Sequence, residues 1–134
     1  TTVRQAELSI VGVTIAASIP ISANAPAELL VGPSLVRPIG EKFRLAPARR
    51  ANLMDCAVCT IFFLLPWHIV VAAWYAALNS AAESYGIPAP PISAALYNPY
   101  SWALLGVLLF SVMTGWNRRF ADPEERPAET KVLA

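Results

Sequence analysis

The sequence predicts an all-α membrane protein in which a discontinuous or re-entrant helix is followed by two transmembrane helices. Hydrophobic residues make up 56% of the chain and charged residues only 14%, whereas soluble domains carry about a quarter charged residues. The mean hydropathy is +0.50. Three apolar stretches lie between polar connections, at about residues 8–36, 52–80 and 92–116. Together they predict a membrane domain over residues 1–120.

The first apolar stretch, about residues 8–36, is interrupted by a polar segment at residues 22–26. Pro26 lacks an N–H and disfavours helix at the residue before it, while Ser22 and Asn24 compete for backbone hydrogen bonds. We therefore expect one helix to end before this segment and another to begin within it. The two halves form either a discontinuous helix that crosses the membrane or a re-entrant hairpin. The first geometry is preferred, because the segment has no charged residue that demands deep water on both flanks.

A helix break inside a membrane exposes backbone groups that can bind ions. The carbonyl groups at the end of the first half offer oxygen ligands for a cation such as sodium. Glu28 lies in the first turn of the second half, where the helix dipole favours its ionised form and burial opposes it. Ser22, Asn24 and Glu28 are therefore candidate ion-binding residues, and Glu28 is a candidate proton carrier. The structural alternative is a proline kink, with Glu28 reaching water or paired with a cation from another helix.

The two later stretches are each long enough to cross a hydrocarbon core of about 30 Å. Pro66 predicts a bend in the span at about 52–80, and Asn98-Pro99 predicts a kink or a late helix start in the span at about 92–116.

The distribution of basic residues predicts the orientation of these spans. Five of the ten Lys and Arg residues lie between residues 37 and 50, and four follow Trp116. Both groups are expected on the cytoplasmic side of the cytoplasmic membrane. The tail at residues 121–134 mixes Pro with both charge signs, so it is predicted to be a mobile cytoplasmic segment.

A series of short blocks follows the break in a distinctive order. They are Ser22-Ala23-Asn24-Ala25-Pro26, Val31-Gly32-Pro33, Arg49-Arg50-Ala51-Asn52-Leu53-Met54-Asp55, Cys59 and Leu64-Leu65-Pro66-Trp67. Over about residues 8–120 these blocks resemble the closing part of NhaC-type sodium/proton antiporters, which belong to the ion transporter superfamily. Family members are longer and are built from inverted repeats. The resemblance therefore implies a fragment of an inverted-repeat transporter whose N-terminal part is missing, and the absence of an initiator Met agrees with it.

The resemblance also implies roles for individual residues. Ser22 and Asn24 would line the ion site, and Asp55 would belong to a polar group near the inner end of the next span. Asp55 is equally favoured by the dipole of the helix that it begins. His68 replaces a family Gly and Glu28 replaces an apolar residue, so the substrate or coupling ion is expected to differ. His68 suits a proton relay or pH sensor, or a neutral histidine hydrogen-bonded within the bundle.

The leading functional hypothesis is sodium/proton antiport by this chain as part of a longer polypeptide. The alternatives are a related carrier for an organic solute and a non-transporting membrane scaffold subunit. The expected partners are a sodium ion, a proton, the lipid bilayer and the missing N-terminal part, and the net charge of +1 gives no sign of nucleic-acid binding. Cys56 and Cys59 lack the second cysteine pair of a metal site. No cofactor, resident metal or enzymatic activity is predicted, since no catalytic motif is present.

Overall fold

Helices make up most of the chain in the computed structural model, which describes residues 2–121. The α-helices are α1 (Val3–Ile21), α2 (Asn24–Val31), α3 (Arg37–Lys42), α4 (Pro47–Thr60), α5 (Ile69–Ser84) and α6 (Pro99–Thr114). A π-helical turn, Gly32–Val36, joins α2 to α3, and a 3₁₀ helix, Ile92–Tyr97, precedes α6. Apart from Ala121, the predicted tail at 121–134 lies outside the described residues.

The first helix and the helical segment after it form a hairpin. Ser22 adopts a left-handed conformation with φ 56° and Ala23 is extended, so the helix stops there and starts again at Asn24. Both α2 and α3 pack against α1. A straight helical continuation would carry the start of α3 about 24 Å beyond the end of α1 at about 1.5 Å per residue. The chain therefore reverses at the break, and the preferred geometry, a discontinuous helix that continues across a membrane, is wrong.

The prediction of membrane-spanning helices is contradicted. No helix within residues 2–121 combines the length and the apolar character that a membrane crossing needs. The predictions of an all-α membrane fold with transmembrane helices, and of a place in the cytoplasmic membrane with a cytoplasmic C-terminus, are therefore wrong.

The physical reason is that both predicted spans are divided by turns. The stretch at 52–80 is interrupted because α4 ends at Thr60 and a series of turns through Pro66 precedes α5. In the stretch at 92–116, Asn98 starts a new helix, and its Oδ1 accepts a hydrogen bond of 2.9 Å from the N–H of Tyr100. The resulting helices α5 and α6 have 16 residues each. At about 24 Å they are shorter than a hydrocarbon core of about 30 Å.

The hydrophobic core lies between α1, α4 and α6, with α2 and the π-helical turn closing one side. Its buried members are Ile10, Val11, Val31, Val36, Leu45, Leu53, Ala57, Leu108 and Val112. Burial of each large aliphatic side chain stabilises the fold by about 1.5–3 kcal/mol. The core therefore fixes α4 against both α1 and α6.

Helix α5 is packed far less than the others. Only Val71 and Ala82 are buried in it, and among the described helices it packs on the 3₁₀ helix without contacting α6. Its sequence is apolar on nearly all sides, a pattern typical of a helix that is buried all round. Much of the apolar surface of α5 is therefore left uncovered within this chain.

A buried ion network, made of Glu7, Arg49, Arg118 and Ser111, joins α1, α4 and α6. Glu7 is fully buried. Its Oε1 accepts a hydrogen bond of 2.9 Å from Arg49 Nε, and its Oε2 accepts bonds of 2.6 and 3.1 Å from Arg118 Nη2 and Nε. Arg49 Nη1 also donates to Ser111 Oγ at 2.9 Å. Buried charges persist only when they are paired, so this network fixes how the three helices meet.

Replacing Glu7 by Ala should lower the free energy of unfolding by about 3–5 kcal/mol, because it leaves the buried guanidinium of Arg49 without its counter-ion. Chemical denaturation followed by circular dichroism measures this change. Glu83→Ala, at an exposed position of α5, is the matched control and should change stability by less than about 0.5 kcal/mol. Equal losses in the two variants would contradict the role of the network.

Candidate ion site at the helix break

The end of α1 meets the start of α5 at the break. The N–H of Ser22 donates to the carbonyl of Ser18 at 2.9 Å, and the carbonyl of Ser22 accepts a hydrogen bond of 3.3 Å from the N–H of Ile69. Trp67 Nε1 donates to the carbonyl of Ile19 at 3.3 Å. Two of the carbonyl groups expected to be free for a cation are therefore already hydrogen-bonded. The Ser22 carbonyl retains a second lone pair, whereas the Ile19 carbonyl also accepts a hydrogen bond of 3.3 Å from Ser22 Oγ.

Asn24 carries a buried polar atom that lacks a partner. It is the first residue of α2, and Ala23 before it provides no side-chain cap. The Oδ1 atom of Asn24 is buried and accepts no hydrogen bond within residues 2–121. A buried oxygen without a donor destabilises the fold by about 1–3 kcal/mol. A positively charged or hydrogen-donating ligand at this position would relieve that penalty.

Two carboxylates lie at the interface between α2 and α4. Glu28 follows Asn24 by four residues, which places both on one face of α2. This helix packs on α4, which carries Asp55. Partial burial, together with the negative charge of Asp55, raises the pKa of Glu28. The structure therefore brings Glu28 and the exposed Asp55 close enough to interact electrostatically, with Asn24 one turn before Glu28 on α2.

Cys59 belongs to the same neighbourhood, one turn after Asp55 on α4. Burial and the negative charge of Asp55 raise the pKa of its thiol to about 11, and Glu28 contributes in the same direction. The pKa of Cys56 is also raised, by burial and then by Asp55. Both thiols are protonated at neutral pH, which makes them poor nucleophiles and poor metal ligands. Within residues 2–121 no group of three or more His, Cys, Asp or Glu side chains is arranged to hold a metal ion.

His68 caps the start of α5 beside the break. Its Nδ1 accepts a hydrogen bond of 3.2 Å from the N–H of Val70, and its ring packs on Phe62 with centroids 5.3 Å apart. The side chain is buried, and this burial lowers its pKa. Since Nδ1 accepts a hydrogen bond, the neutral ring carries its proton on Nε2, which is buried without a partner in the described structure.

Sequence reasoning missed the residues of the buried ion network. Glu7 stands one residue before the start assigned to the first apolar stretch, so it was left out of that helix. The available signal was a single acidic residue within the first turns of an apolar helix, since a charge at such a position needs a partner. Its partners, Arg49 and Arg118, are too distant in sequence to be recognised by local patterns.

No known protein family, curated protein or solved structure shows significant similarity to this chain. The resemblance to NhaC-type antiporters therefore stays a prediction. Function has to be inferred from the geometry of the site.

His68 should make stability fall under mildly acidic conditions. Because burial lowers its pKa, the unfolded chain takes up the proton first as the pH falls below the ordinary value near 6.5. The stabilising contribution is therefore complete above that value and is lost as the pH falls through the lowered pKa of the folded state. His68→Asn keeps a side-chain acceptor for the start of α5 but does not titrate.

The free energies of unfolding of the wild type and His68→Asn, measured between about pH 5 and pH 8, check this expectation. His68 is the single histidine of the chain, and other titrating groups, Glu28 among them, are common to both proteins. The variant should lose less stability than the wild type between about pH 6.5 and 5. Parallel pH profiles would show that His68 does not titrate in the way its burial requires.

Proposed function

We propose that this chain binds a monovalent cation, sodium in the first instance, at the interface of Asn24, Glu28 and Asp55, and that binding displaces a proton from Glu28. The observation that carries the proposal is the buried, unpartnered Oδ1 of Asn24, which lies one helical turn before Glu28, whose carboxyl interacts electrostatically with Asp55. Amide and carboxylate oxygens suit cations such as sodium.

The raised pKa of Glu28 couples cation binding to proton release. Partial burial and the charge of Asp55 favour the protonated form of this carboxyl. A bound cation favours the ionised form, so the cation and the proton compete for the same group. Cation affinity should therefore rise as the pH rises through the pKa of Glu28. An organic carboxylate is a less suitable ligand, because Glu28 and Asp55 would repel it.

Sodium affinity should rise as the pH increases from the ordinary carboxyl pKa of 4.5 through the raised pKa of Glu28, and binding in that range should release up to one proton, since binding draws on the ionised form of Glu28. Calorimetric titration at constant ionic strength, repeated in buffers of different ionisation enthalpy, measures affinity and proton release together. Sodium NMR linewidths extend the measurement to weak binding. Glu28→Gln should weaken binding and abolish its pH dependence, whereas Asn24→Ala should weaken binding about tenfold and keep the pH dependence.

Two controls make this test specific. Choline is too large for a site built from a few oxygens, so it should give no binding signal. Glu83→Gln removes an exposed carboxylate on α5, away from the site, and should bind sodium as the wild type does. Equal binding of sodium and choline, or equal effects of the two glutamate substitutions, would rule out the site.

Self-association is a second candidate function, and the uncovered surface of α5 favours it. The exposed face of α6 is also apolar, since Trp102, Phe110 and Met113 are each at least half exposed. Exposed apolar patches of this kind mark interaction surfaces. The exposed faces of α5 and α6 belong to one chain, and the two helices do not contact each other. Two copies related by a twofold axis can therefore cover both faces. The α5 helix of each copy would then pack on α6 of the other.

Ala76→Glu, at an exposed position in the middle of α5, should convert this dimer to a monomer because it places a charge in the apolar contact. Sedimentation equilibrium measures the change. Ala16→Glu, the same substitution at an exposed position of α1, should leave the dimer intact. A monomeric wild type, or dissociation of both variants alike, would contradict assembly through α5.

A further inference from the structure

A polar cleft lies where the N-terminus of α4 meets the segment that follows α6. An isolated bridge between Leu45 and Phe120 holds that segment in place, and the N–H of Ala46 donates to the carbonyl of Arg119 at 3.0 Å. The cleft has a volume of about 200 Å³, and it is lined by Ala48, Arg49, Asn52, Asn117 and Arg119. Among residues 2–121, the polar side chains that line it are guanidinium and amide groups, with no carboxylate.

Arg49 lines this cleft with a guanidinium that is not fully satisfied. The residue is only 4% exposed. Its Nε and Nη1 atoms donate to Glu7 and Ser111, but its Nη2 atom is buried without an acceptor in the described part of the chain. Buried guanidinium donors are normally all paired. This nitrogen therefore points to an absent acceptor rather than to a completed structural contact.

The charges around the cleft favour an anion. Glu7 supplies one negative charge, which is shared by Arg49 and Arg118, and Arg119 adds another positive charge that lines the cleft itself. The start of α4 has no side-chain cap, and Ala48 lies in its first turn. The positive end of the α4 dipole therefore adds to the field of the arginines. The first acidic residue of α4 is Asp55, two turns after Ala48.

A second cleft adjoins the first and has a mostly apolar lining. Arg49, Asn52, Ser111 and Asn117 supply its polar side, and the remaining lining residues are Cys56, Leu104, Val107, Leu108 and Trp116. A ligand that placed an anionic group against the arginine would therefore have an apolar space beside it. This combination fits an oxyanion that carries a small apolar substituent.

We propose that the paired clefts bind an organic phosphate. Arg49 and Arg119 recognise the phosphate group through charge-assisted hydrogen bonds, with Asn52 and Asn117 as additional donors. The apolar substituent occupies the adjoining cleft between α4 and α6. This site is separate from the cation site, because it shares none of the residues that would bind the cation.

Calorimetric titration of the full chain with inorganic phosphate and with phenyl phosphate, at constant ionic strength, tests the proposal. Both should bind, and phenyl phosphate should bind several-fold more tightly because its ring is removed from water. Arg119→Ala should weaken both about tenfold, since it removes a charged donor from an exposed side chain whose loss leaves the core intact. Asn117→Gly should weaken binding more modestly, because glycine keeps the left-handed backbone at φ 58° and removes only the amide.

Arg4→Ala is the control for general charge effects. It removes an exposed arginine of α1 that lines neither cleft, and it should bind both phosphates as the wild type does. Undiminished binding by Arg119→Ala, or an equal loss in Arg4→Ala, would overturn the site. Equal affinity for inorganic and phenyl phosphate would overturn the assignment of the adjoining cleft. Glu28→Gln should leave phosphate binding unchanged, so failure here is distinguishable from failure of the cation site.

Discussion

The structure depends on one buried carboxylate, that of Glu7. Its two oxygens hold Arg49 of α4 and Arg118 beyond α6, and Arg118 Nη2 also donates to the carbonyl of Val112 at 3.1 Å. The geometry requires Gly115 at the end of α6. Its φ is 77°, and a Cβ there would lie 2.9 Å from Arg118 Nη1. A side chain at this position would therefore both strain the turn and displace the arginine that neutralises Glu7.

Because the network positions α4, it positions both candidate sites. Arg49 lines the phosphate cleft near the start of this helix, and Asp55 faces the cation site six residues later. The rise between them is about 9 Å, which is close to the Debye length of about 8–10 Å at physiological salt. Salt therefore screens much of the effect that a charge at one site has on the other. Helix α4 therefore carries a positive region near its start and a negative region near Asp55. Its buried core residues Leu53 and Ala57 fix the position of both regions.

The break at Ser22 was predictable from sequence because its causes are local: Pro26 removes a donor and the polar side chains compete with the helix. The reversal of the chain was not predictable, since it depends on packing between α1 and α3. The membrane spans were wrong because composition measures apolar content without showing where a helix ends. The interface of Glu28 with Asp55 and the pairing of Glu7 with Arg49 are contacts between distant segments. The family resemblance suggested a role for Asp55, but no local pattern pointed to Glu7.

The high hydrophobicity of the chain is only partly used in its own core. Leu29 and Tyr97 are 76% and 86% exposed, and most of α5 is apolar and uncovered. Burial of apolar surface stabilises a fold by about 25 cal/mol for each Å² removed from solvent, and these exposed side chains do not contribute that stabilisation. Packing within this chain stabilises α5 little, because the helix loses conformational entropy when it forms and buries little apolar surface in return. Its helical form therefore makes physical sense as one half of a contact.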